Sequence, residues 1–165
     1  MKVRVLVVSE DEAERLRATT ALRDRRDVEI TEVSSVLEAH GRTEEEQFDI
    51  LVFDGDMRPE GGFSLLYEIR ARAELKGEGV PPAIMLIGRE DDRWLALRWA
   101  GAMEALVKPV NSFVLAKRVE AIVRETGGLV PAAPIGETAV GPLAMDEPPD
   151  IARDEAPGGP PSELP

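Results

Sequence analysis

The chain has 165 residues, a net charge of −12, a single histidine and no cysteine. The length suits one domain with a sizeable core, since a domain of ~150 residues buries roughly 70% of the surface its unfolded chain exposes. The acidity argues against direct binding to nucleic acid or an anionic membrane, where Lys and Arg must meet phosphates. The missing cysteines exclude disulfides and Cys-based zinc sites, and His40 alone makes a His-based metal site a poor expectation.

In chain order, the first element is the apolar run VRVLVV at residues 3–8, too short for a signal peptide. No apolar stretch approaches the ~18 residues of a membrane span, so a soluble, cytoplasmic protein without membrane insertion is expected. The run meets Ser9, Glu10, Asp11 and Glu12. Ser9 to Glu12 spells S-x-x-E, a capping box for the first helix; alternatively Ser9 is a neutral lining among acids that wait for a cation. The first helix has only a thin apolar stripe, Ala18, Ala21 and Leu22. VEITEV at residues 28–33 alternates, as an edge strand with one wetter face would. Ser35 and Glu38 read as a capping box for the second helix, which contains His40.

The third strand is DILVFD at residues 49–54, followed by Gly55 and Asp56. Residues 58–62 read as a loop into the third helix, whose Phe63, Leu66, Ile69 and Ala73 recur at helical spacing. PAIMLI at residues 82–87 is the fourth strand, with Gly88 after it. The fourth helix carries Trp94, Leu95, Leu97 and Trp99, which cannot all face a sheet. Either these side chains cover the rim of the core, or they form an exposed aromatic patch for a partner or a second copy. EALVK at residues 104–108 is the fifth strand, ending at Lys108-Pro109. Asn111 is an N-cap for the last helix, which turns Leu115, Val119, Ile122 and Val123 to one side.

Residues 126–165 differ in kind: they hold nine of the thirteen prolines, six of the fourteen glycines and seven acids against one Arg. Such a segment cannot bury enough apolar surface to offset its ordering entropy. The expected organisation is therefore a domain at 1–125 and a disordered, acidic tail at 126–165, with no room for a helix-turn-helix.

Five strands alternating with five helices predict a parallel, doubly wound sheet covered on both faces. In such a sheet the site lies beyond the C-terminal strand ends. Those ends carry Ser9, Glu10 and Asp11, then Asp54 and Asp56, then Gly88, then Lys108. Two carboxylates ~4 Å apart repel by roughly 4 kcal/mol at an effective dielectric of ~20. A lysine or a divalent cation offsets that, and Mg2+ suits a pair of carboxylates beside a phosphate. Neither G-x-G-x-x-G after the first strand nor G-x-x-x-x-G-K-[ST] occurs, which counts against a nucleotide-binding enzyme.

VLVVSED, FDILVFDGDMRPEGGF and GAMEALVKP, in this order, resemble the receiver domains of two-component response regulators over about residues 3–125. The resemblance implies a three-layer, flavodoxin-like fold with strand order 2-1-3-4-5. It implies that Asp54 accepts a phosphoryl group from a sensor histidine kinase or phosphotransfer protein. Mg2+ would be held by Glu10, Asp54 and the backbone carbonyl of Asp56, with Asp11 as a further candidate, and Lys108 would contact the phosphoryl oxygens. Beyond self-catalysed phosphoryl acceptance and hydrolysis no enzyme activity is implied. Signalling would run through protein contacts, on a face formed by the fourth helix, fifth strand and fifth helix with Trp94, Trp99 and Ala105, where a homodimer could also form.

The sequence departs from the family pattern at four places. Ser9 stands where the first of two acids is usual. Asp56 adds an acid, which would bring Glu10, Asp54 and Asp56 to a total of −3. Gly88 replaces a small hydroxyl residue, and Ala105 replaces an aromatic switch residue. Ser9, Gly88 and Ala105 sustain an alternative, a pseudo-receiver that acts as an interaction module without phosphorylation.

Overall fold

The computed structural model describes residues 2–58 and 61–132. Five parallel strands form one sheet in the order β2-β1-β3-β5-β6, from β1 (Val3–Val8), β2 (Val28–Val33), β3 (Ile50–Asp54), β5 (Ala83–Ile87) and β6 (Glu104–Val107). The three central strands are the near-continuous apolar runs, as burial on both faces demands. The alternating VEITEV is at one edge.

Side-chain alternation along each strand divides the interior in two. Val5, Val7, Ile50, Val52, Ile84 and Leu86 pack with α1 (Glu12–Arg23) and α4 (Ser112–Thr126). Leu6, Val8, Leu51, Phe53, Met85 and Ile87 pack on the opposite face with α2 (Val36–Glu45), α3 (Gly61–Lys76) and the helical segment before β6. This is the three-layer, flavodoxin-like arrangement.

The caps follow local chemistry. Ser35 accepts from the Glu38 N–H, and Asn111 accepts from Phe113 and Val114, each serving donors that the first helical turn leaves free. Ser9 is not the cap of α1, contrary to the capping-box reading. Its N–H still bonds Val33 O at 3.2 Å, so the ladder to β2 runs one residue past the end of β1. The helix begins later, and Asp11 Oδ1 accepts from Ala13 and Glu14.

The fourth helical segment is irregular: a 3-10 turn at Glu90–Asp92 leads to a π turn at Leu95–Trp99. Only Ala96 and Ala100 are buried there. Leu97 and Trp99 pack against the core from its rim, and Trp99 stacks on Tyr67 of α3 with ring centroids 4.6 Å apart. The two alanines let the segment lie close to the sheet while the bulky side chains spread around them, as the rim-covering reading expects.

The packed chain extends beyond residue 125. Gly127 closes α4 with a φ of 68°, and the chain returns so that β7 (Val130–Pro131) pairs antiparallel with β4 (Gly79–Val80). Ala132 is buried. Residues 126–132 therefore belong to the domain rather than to the expected tail. Val130 and Ala132 have an apolar surface ready for them, a reward that composition alone did not reveal. The remainder of the expected tail, 133–165, is outside the described residues.

Candidate functional site: an aspartate shared by a lysine and a serine

The strand register assembles the site. Val8 pairs with Phe53, which sets Ser9 beside Asp54. Asp54 pairs with Leu86 and Ile87 with Val107, which sets Gly88 and Lys108 one step further along. The start of α3 closes in from the side. A Cβ on Gly62 would lie 2.4 Å from the Asp54 carbonyl oxygen, so only glycine lets the helix approach the strand end this closely. The glycines at 61 and 62 are more than a loop: both are buried and open the helix.

Asp54 is 3% exposed and both its oxygens are engaged. Oδ1 accepts from Lys108 Nζ at 2.7 Å and from the Asp56 N–H at 3.0 Å. Oδ2 accepts from Ser9 Oγ at 2.8 Å. Lys108 Nζ also reaches Asp56 Oδ2 at 2.7 Å. Burial pulls the Lys108 ammonium down, but hydrogen bonds and charge from Asp54 and Asp56 outweigh it and hold the lysine above its usual range.

The expected residues do not all converge. Asp54, Lys108 and Asp56 meet, and the Asp56 side chain as well as its backbone enters the site. Glu10 is exposed and stands outside the hydrogen bonds around Asp54. Asp11 spends Oδ1 on capping α1. Among the described residues no group of three or more acidic, His or Cys side chains is close enough to hold a metal ion. Mg2+ needs no such cage, because it keeps several waters and binds through one or two carboxylates. The hard oxygens of Asp54, Asp56 and Glu10 fit that chemistry. Ala105 is 1% exposed and packs into the core, so it is no part of an interaction surface. Its carbonyl accepts from Arg93 Nη1 at 2.7 Å.

One positioning residue had no sequence signal. Arg15, one turn into α1, donates Nη1 to the Ser9 carbonyl at 2.7 Å and pairs with Glu32 at the end of β2. It ties down the turn that carries Ser9. In the sequence it is one arginine among several on an exposed-looking helix.

A parallel sheet in this order, with a buried aspartate at the end of one strand and a lysine reaching it from the end of the next strand but one, defines a receiver domain. The response regulator receiver family model matches residues 5–120, and the chain belongs to that family. Uncharacterized response regulatory proteins of Mycobacterium tuberculosis, from strains CDC 1551 and H37Rv, are each 29% identical over 127 residues, covering 74% of this chain and 92% of theirs. Among solved structures, a CheY-like receiver domain protein of Methanospirillum hungatei is 25% identical with a TM-score of 0.62, covering 77% of this chain and 98% of that one. The Francisella response regulator 1452 receiver domain is 23% identical with a TM-score of 0.66, covering 76% and 99% respectively. Membership of this family implies a part in two-component signalling. No helix among the described residues is long and apolar enough to cross a membrane.

Proposed function

We propose that the protein is a cytoplasmic, single-domain response regulator that accepts a phosphoryl group on Asp54 from a sensor histidine kinase or phosphotransfer protein. The observation that carries this reading is the buried Asp54 carboxylate at a strand end, with Lys108 Nζ 2.7 Å from Oδ1. A carboxylate oxygen can attack phosphorus to form an acyl phosphate. In that step the bond from phosphorus to the donor's imidazole nitrogen breaks as the bond to Asp54 forms. Such transfers depend on positioning and charge neutralisation more than on covalent help. Lys108 supplies a fixed positive charge on the acceptor side, and Ser9 and the Asp56 N–H orient the carboxylate.

Mg2+, when bound by Asp54, Glu10 and the Asp56 carbonyl, would neutralise phosphoryl charge. The chemistry stops at self-catalysed acceptance and hydrolysis. Output would run through protein contacts, including a homodimer on the face made by residues 90–99, β6 and α4, where Met103 and Val107 are exposed.

The test is to incubate the protein with magnesium chloride and acetyl phosphate and weigh it intact. A phosphoryl adduct in the wild type that Asp54→Asn abolishes is the expected result. No adduct from acetyl phosphate or from a histidine kinase would leave the phosphorylation-independent interaction module as the working description.

A further inference from the structure

Gly88 and Asp56 fit together. A Cβ built on Gly88 would lie 2.7 Å from Asp56 Oδ2, the same oxygen that meets Lys108 Nζ at 2.7 Å. The carboxylate of Asp56 thus fills the space that a side chain at position 88 would take. Lys108 is held by two carboxylates at once, Asp54 on one side and Asp56 on the other. Of the two, Asp54 is buried, whereas the Asp56 side chain is 49% exposed and free to swing outward.

We propose that Asp56 is an internal competitor for Lys108, and that Gly88 is the residue that makes room for it. In the resting protein the Asp56 carboxylate takes the face of Lys108 that a phosphoryl oxygen on Asp54 would need. It also sets a negative charge beside the path of an anionic donor. Phosphoryl acceptance therefore requires Asp56 to release the lysine, and Asp56 is a positioning residue that slows loading of the site. Phosphorylation replaces a charge of −1 at Asp54 by about −1.5 to −2, which strengthens the competition for the one lysine.

This role rests on Asp54 as the acceptor, so the experiment reads the two separately. The full chain is compared as wild type, Asp56→Asn, Asp56→Ala, Gly88→Ala and the Asp56→Ala/Gly88→Ala double variant. Adduct formation from acetyl phosphate, with acetate leaving, is timed by intact mass, and the melting temperature of each unphosphorylated protein is recorded. Asp56→Asn removes charge while keeping shape, and should speed loading roughly tenfold, which corresponds to about 1.4 kcal/mol off the barrier. Gly88→Ala should speed loading too, because its methyl evicts the carboxylate, yet add nothing in the Asp56→Ala background. Its cost in melting temperature should likewise shrink once no carboxylate is there to be displaced.

Loading by Asp56→Asn at or below the wild-type rate overturns the proposal. So do Gly88→Ala effects on rate and melting temperature that simply add to those of Asp56→Ala. If no variant forms an adduct but the melting temperatures remain non-additive, the acceptor role of Asp54 fails and the loading role of Asp56 falls with it, while the fit between positions 56 and 88 stands.

Discussion

Ser9 shows how one atom alters a site. A second acid at this position would crowd Asp54 with another negative charge; the hydroxyl instead donates to Oδ2 at 2.8 Å. A hydrogen bond to a charged acceptor is worth about 1.5–3 kcal/mol. The Asp54 carboxylate is thus held by one lysine, one hydroxyl and one backbone N–H. Lys108 also makes stability depend on pH. Its pKa is raised in the folded state, mainly because Asp54 and Asp56 outweigh the effect of burial. A raised pKa contributes stability that is complete below the unfolded lysine value of about 10.4 and is lost as pH rises through the folded value. Urea midpoints measured across the alkaline range should thus fall more steeply for the wild type above about pH 10.4 than for Lys108→Met, which has no proton to lose. Parallel curves would show that the ion pair contributes nothing. Asp54, Asp56 and Lys108 were legible in the sequence because strand ends can be counted from apolar runs. The placement of Glu10 was not, because the turn after β1 decides which of three successive acids faces inward, and there Asp11 is drawn to the free N–H groups of α1.

Among the elements, the long apolar runs, the edge strand and the caps at Ser35 and Asn111 identified themselves, whereas Asp11, the cap of α1, did not. What could not be read was structure that carries no pattern of its own and depends on a partner distant in sequence. The two-residue strands β4 and β7 are the clearest case: neither has a periodicity, and each exists because the other is there. Gly79 leaves little space, since a Cβ on it would meet Val130 O at 2.9 Å. A chain ended after Gly128 should be less stable than one ended after Ala132 by about 1–2 kcal/mol, the scale of burying part of a valine and an alanine. Chemical denaturation of the two forms checks this, and equal midpoints would reduce β7 to an incidental contact. The π turn was equally hidden. Its sequence looked like an overcrowded amphipathic helix, and the widened turn is how the crowding is relieved.

At the scale of the whole molecule, the two apolar clusters lie on opposite faces of one sheet and share its strands residue by residue, Leu6 on one side and Val5 and Val7 on the other. Neither can be lost alone. Leu115→Ala in α4 should cost about 2–5 kcal/mol, and the loss should appear at the same denaturant midpoint in far-UV circular dichroism and in the fluorescence of Trp94 and Trp99, which belong to the far face. Separate midpoints would mean that the faces unfold independently, against two-state behaviour. The return of the chain along β4 has a further effect on how the molecule is wired. Asp54 ends its strand, whereas Val80 lies two residues before Pro82 and the start of β5, at the opposite end of the sheet. A five-residue strand is about 17 Å long. Ala132 therefore anchors whatever follows it at the pole facing away from the aspartate, and the attachment point of the last 33 residues is at the far end of the sheet from Asp54.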